Sequence, residues 1–131
     1  MMVRRVLLDG DFIDAVADIN SANHTDATAL YLTLVDGYTD GNELLFALSS
    51  TLARVPKSVQ RTTFAPVCTV WVARQHRSAA RRVRAEVSAN AALTLVMLDT
   101  ENIRTIATLS AEFAGFDLQL LTSAHRPAAD S

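Results

Sequence analysis

Cysteine occurs once, at Cys68, and lysine once, at Lys57, in a chain of 131 residues. A single thiol excludes an intrachain disulfide. Its place inside an apolar run makes it a buried structural group rather than a nucleophile, and the expected compartment is the cytosol. The 4 glycines form no G-x-G-x-x-G after a first strand, where the chain reads Asp9-Gly10-Asp11, and no Gly-rich loop ends in Lys-Ser/Thr. Dinucleotide and nucleoside-triphosphate sites therefore lack their signatures. No serine sits in a nucleophile elbow. No stretch of 18 residues is free of polar groups, so no membrane span is expected. The apolar run beside Arg4 and Arg5 is too short for a signal peptide.

What is present is an apolar, weakly acidic chain. Half of it is hydrophobic, which is ample for one core, and the length suits one domain, expected over residues 1–123 with a frayed tail at 124–131. The net charge of −2 conceals an asymmetry. Five arginines and no acid lie between Arg74 and Arg84, and the remaining residues sum to −7.

Strands and helices are expected to alternate. Val3 to Leu8 reads as a first strand, and Asp11 to Ala22 as a helix with Phe12, Ile13, Val16 and Ile19 at helical spacing. Ala27 to Val35, with threonines, tyrosine and valine, reads as a second strand. Asp36-Gly37 and Asp40-Gly41 mark turns. Gly41 to Val55 reads as a helix with Leu44, Leu45, Leu48 and Leu52 on one face. Lys57 to Ala65 is a polar connection, Pro66 to Ala73 a third strand, and Gln75 to Ala89 a helix. Leu93 to Leu98 is expected as a fourth strand, Thr100 to Ala114 as a helix stopped by Gly115, and Phe116 to Thr122 as a fifth strand. Near-continuous apolar strands imply burial on both faces. The expected fold is an α/β three-layer sandwich around a five-stranded, mainly parallel, doubly wound sheet.

In such a sheet ligands bind at the carboxyl ends of the strands. On this reading those ends carry Asp9 and Asp11, Asp36, Arg74 with His76, and Asp99 with Glu101. Carboxylates held together repel unless a proton or cation joins them, and a hard cation such as Mg²⁺ takes oxygen ligands. Each acid also has a structural reading. Asp9, Asp11, Asp40 and Asp99 precede expected helices, where they would cap, and Glu43 would complete a capping box. The arginines have two readings as well: a solvated helix face, or the footprint for a phosphate backbone. No aromatic residue interleaves with them, so base stacking has no platform.

The opening Val-Leu-Leu-Asp9-Gly-Asp11-Phe-Ile, Asn23-His24 before Ala27, Glu43-Leu44-Leu45, and Asp99-Thr-Glu-Asn-Ile-Arg-Thr-Ile-Ala with Leu120-Leu121-Thr122 together resemble the PIN-domain ribonucleases. These are small α/β nucleases that include the toxins of many toxin–antitoxin pairs. The resemblance implies a Mg²⁺- or Mn²⁺-dependent ribonuclease, with catalytic Asp9, Glu43 and Asp99 as metal ligands and Asp11 assisting. Arg74, Arg77, Arg81 and Arg84 would bind RNA. An antitoxin or other protein partner, or a homodimer, is compatible with it, and a membrane partner is not. It also implies that Ala27 to Leu34 is helical, against the strand reading above. In the family an acid follows the threonine after the last strand. Here the residues are Ser123, Ala124 and His125, and Asp117 falls before that strand.

The alternative is a non-enzymatic regulatory or protein-interaction module resembling a response-regulator receiver. Against a true receiver, the third strand ends in Ala73-Arg74 where a phosphoacceptor aspartate belongs, and no lysine follows the fifth strand.

Overall fold

The computed structural model describes residues 3–72, 89–114 and 116–121. In chain order these form β1 (Arg4–Leu8), α1 (Gly10–Ala17), α2 (His24–Thr39), β2 (Glu43–Leu48), the short α3 (Ser49–Leu52), α4 (Lys57–Val59) running into a π-helical turn (Gln60–Phe64), β3 (Cys68–Trp71), α5 (Ala89–Thr100), β4 (Thr105–Ala107), a 3₁₀ turn (Ala111–Phe113) and β5 (Gln119–Leu121). The five strands form one sheet in the order β3-β2-β1-β4-β5, and every pairing is parallel.

Strand residues alternate between two cores. Val6, Leu8, Leu45, Ala47 and Ala107 pack on one face against Phe12 and Val16 of α1 and Tyr31 and Leu34 of α2. Leu7, Phe46, Leu48 and Ile106 pack on the other against Leu93, Met97 and Leu98 of α5. Covering both faces is what makes the strands apolar throughout. The expected three-layer parallel sandwich is therefore the observed one, and β1, β3 and β5 fall within the first, third and fifth expected strands.

Four elements differ from expectation. Ala27 to Val35 is helical, inside α2, as the PIN resemblance implies. Its buried residues Ala27, Tyr31 and Leu34 recur at helical intervals, and this tertiary stripe overrides the β-propensity of the threonines. Gly41 to Val55 is not one helix. Glu43–Leu48 forms β2, preceded by a tight turn at Gly41 with φ 81°, so Leu45 and Leu48 belong to a strand buried on both faces, while Leu44 near its start is exposed. Leu93 to Leu98 is not a strand but part of α5, a helix so enclosed that apolar residues surround it. Thr100 to Ala114 is not a helix. It holds a turn at Asn102 with φ 55°, the three-residue β4 and the 3₁₀ turn. Two boundaries also shift: α1 ends at Ala17, and the polar connection after Lys57 contains α4 and the π turn. The expected helix Gln75 to Ala89, apart from Ala89 itself, and Gly115 lie outside the described residues.

Among the described residues no helix is long and apolar enough to cross a membrane. Cys68 is half-buried in β3 beneath Tyr31. Burial pushes its thiol up to about 12, with the polar Tyr31 hydroxyl opposing the shift, which suits a structural group.

Candidate functional site at the carboxyl edge

Asp9 is the residue at which β1 ends and α1 begins, so it stands at the carboxyl edge of the central strand. Its N–H donates to the Ala107 carbonyl at 2.9 Å, which ties it to the end of β4. It occupies the N-cap position of α1 without making a side-chain cap bond. Its carboxylate turns instead to Thr108, the first residue after β4, whose hydroxyl donates to Asp9 Oδ2 at 2.8 Å. Asp11, in the first turn of α1, accepts the Leu109 N–H at 3.1 Å on Oδ1, which also lies 3.3 Å from the Thr108 hydroxyl. The Ser110 N–H donates to Thr108 Oγ1 at 3.0 Å. Thr108 is fully buried and Asp9 is 7% exposed.

This arrangement destabilises the Asp9 anion. Burial removes its hydration and the neighbouring Asp11 charge adds repulsion. The Thr108 hydroxyl and the Gly10 N–H oppose both, and the carboxyl is nevertheless raised from the usual 3.8 to about 6.

The other expected site residues lie elsewhere. Glu43 begins β2, in register with Arg4, and its Oε2 accepts from Arg4 Nη2 at 2.7 Å. It forms no capping box. Five residue steps along β1, at about 3.3 Å each, separate that level from Asp9 by about 16 Å. Asp99 is exposed near the end of α5, not at a strand end. A parallel strand is entered from the amino edge, so α5 finishes at that edge, before β4. There Asp99 lines a cavity of about 290 Å³ with Leu95, Leu98, Arg104, Phe116, Asp117 and Leu118. Asp36 is exposed on α2. Asp9 and Asp11 are thus brought together, while Glu43 and Asp99 are at the opposite end of the sheet. Arg74, His76, Arg77, Arg81 and Arg84 lie outside the described residues.

Two residues at this edge carry no sequence expectation. Thr108 falls inside an expected helix, although the short apolar run Thr105-Ile-Ala followed by Thr108-Leu-Ser110 has the composition of a strand and its exit. Arg54 follows α3, and its Nη2 donates to Asp14 Oδ2 at 2.8 Å. A Cβ placed on Gly10 would stand 2.8 Å from Arg54 Nη2 and 3.1 Å from Thr51 Cγ2, so both side chains pack closely over this residue.

Mg²⁺ is held through one or two carboxylates, keeps several waters and demands near-octahedral geometry. The donor set here meets that carboxylate count and offers nothing beyond it among the described residues. Asp9 Oδ2 and Asp11 Oδ1 each already accept a hydrogen bond, from Thr108 and Leu109, which leaves their second oxygens and remaining lone pairs for any cation. Among the described residues no third His, Cys, Asp or Glu joins the pair to hold a cation. What the pair readily accommodates is a proton.

No protein-family model and no curated protein sequence matches the chain. Solved structures do match it. VapC20 of Mycobacterium tuberculosis, a Sarcin-Ricin loop cleaving toxin, superposes with a TM-score of 0.63 at 12% identity over 86% of this chain and 98% of that one. The fold is that of the PIN-domain toxins. VapBC2 from Rickettsia felis, bound to a DNA fragment from its promoter, gives a TM-score of 0.56 at 12% identity over 90% of this chain and 98% of that one. FitAB bound to an IR36 DNA fragment gives 0.55 at 15% identity over 92% and 96%. The PIN-like fold thus spans nearly the whole chain, and at these identities the likeness concerns architecture alone.

Proposed function

We propose that this chain is a PIN-like domain of toxin–antitoxin type whose nuclease site is reduced to the Asp9–Asp11 pair, and that it acts by binding a protein partner of antitoxin kind rather than by cutting RNA. The observation carrying this reading is the separation of the expected ligands: Asp9 lies at the carboxyl edge, whereas Glu43 is ion-paired to Arg4 at the amino edge. Hydrolysis of a phosphodiester by a metal-activated water needs a cation held by several converging oxygens. The partner class is inferred from the VapBC2 and FitAB assemblies among the structural neighbours.

A second reading has one observation in its favour. Asp9, buried, and Asp11, half-buried, form a pair whose repulsion a cation would relieve. On that reading the chain is a Mg²⁺- or Mn²⁺-dependent ribonuclease, with Asp9 and Asp11 on the metal and Arg74, Arg77, Arg81 and Arg84 on the RNA.

One assay decides between them. Wild-type and Asp9→Asn protein are incubated with cellular RNA and a sarcin–ricin-loop oligonucleotide in Mg²⁺ or Mn²⁺. The first reading expects the same background from both proteins. Metal-dependent cleavage lost in Asp9→Asn overturns it.

A further inference from the structure

We propose that Arg54 is a built-in cation that closes the carboxyl edge to divalent metal. The inference rests on the non-hydrolytic reading above and assigns its cause to one residue. β2 is the parallel neighbour of β1, so the chain leaving β2 through α3 emerges at the edge where Asp9 sits. Thr51 anchors that exit. It is buried, and its hydroxyl donates to the Leu48 carbonyl at 2.8 Å. Arg54 follows, and its guanidinium reaches across Gly10, the residue linking the two aspartates, to Asp14.

Asp11 and Asp14 are three residues apart on α1 and therefore share a face. Arg54 thus pairs with Asp14 and lies over Gly10, between Asp9 and Asp11 in the chain. A guanidinium stays charged at any working pH and offers only donors, so it cannot become a ligand. A divalent ion at the Asp9–Asp11 pair would be repelled by this fixed charge with twice the force a monovalent ion meets. As a surface ion pair alone, Arg54–Asp14 would contribute little, since both side chains are half exposed at 54% and 50%. What matters is its position: Arg54 Nη2 lies over Gly10, 2.8 Å from where a Cβ would stand, which brings the charge to the residue joining Asp9 and Asp11.

The test is Mn²⁺ affinity, read as the loss of the free-ion paramagnetic resonance signal, for wild type, Arg54→Gln and Arg54→Glu, each with and without Asp9→Asn. Arg54→Gln removes the charge and shortens the side chain while keeping it polar. Arg54→Glu adds a carboxylate. Melting in EDTA confirms that each variant is folded, and Arg54→Gln, which adds no repulsion with Asp14, secures a folded comparison. Affinity is expected to rise about tenfold in Arg54→Gln and about a hundredfold in Arg54→Glu, the size of one and two unit charges removed or reversed near the ion. Asp9→Asn is expected to abolish both gains. Equal affinity in the three proteins, or a gain that survives Asp9→Asn, overturns the role of Arg54. If wild type also fails to cleave RNA, that result leaves the non-hydrolytic reading standing. Cleavage by wild type that depends on Asp9 removes that reading itself.

Discussion

Thr108 donates its hydroxyl to Asp9 at 2.8 Å although 99 residues separate them in sequence. β1 and β4 are parallel neighbours, so both residues leave the sheet at the same edge. The hydroxyl is the main favourable contact of a carboxylate that burial and Asp11 otherwise disfavour.

Thr108→Val removes that donor and also the acceptor of the Ser110 N–H. The buried Asp9 carboxylate and the half-buried Ser110 N–H then lose partners, at an expected cost of about 2 kcal/mol. Thr108→Ser keeps both bonds and should stay close to wild type. Urea unfolding of the two variants measures the difference. Equal losses would show that the methyl group, not the hydroxyl, matters.

Asp9 makes stability fall with rising pH. Below its ordinary value of 3.8 the carboxyl is protonated whether the chain is folded or not. Between there and about 6 the folded chain keeps a proton that the unfolded chain releases, so stability declines with pH. Above about 6 the loss is complete, on the order of 3 kcal/mol. Asp9→Asn removes the titration while keeping an acceptor for Thr108. Its melting temperature should match wild type in acid and exceed it at neutral pH. Parallel melting curves across that range would show that Asp9 is not destabilised.

Gly37 of α2 faces Glu43. A Cβ there would stand 2.8 Å from Glu43 Cγ and 2.9 Å from Cδ, and Arg4 holds the carboxylate in place. Gly37→Ala should therefore cost about 1–3 kcal/mol through overpacking. Adding Glu43→Ala should recover most of it. Glu43→Gln alone should leave Mn²⁺ binding unchanged, because this carboxylate is remote from Asp9. A Glu43→Gln variant with altered Mn²⁺ affinity would contradict that separation.

Composition and apolar runs determine a good deal here without coordinates. An α/β parallel sandwich, strands near Val3 to Leu8, Pro66 to Ala73 and Phe116 to Thr122, and an acid pair at the first strand's exit are all legible. The short quotations of a PIN pattern even carry the helix at Ala27 that propensity misses. Local sequence cannot separate a six-residue buried strand from a turn and a half of buried helix, because both are continuously apolar. Glu43–Leu48 and Leu93–Leu98 are such segments, and each is the opposite of its expected type. The error reaches function because of geometry. An acid before a helix that follows a strand lies at the carboxyl edge. The same acid at the start of a strand, or at the end of a helix, lies at the amino edge. Exchanging strand for helix therefore carried Glu43 and Asp99 across the full height of the sheet, away from Asp9. Only the tertiary structure decided which carboxylates meet, and it set beside them Thr108 and Arg54, residues from distant elements that parallel strand exits bring to one edge.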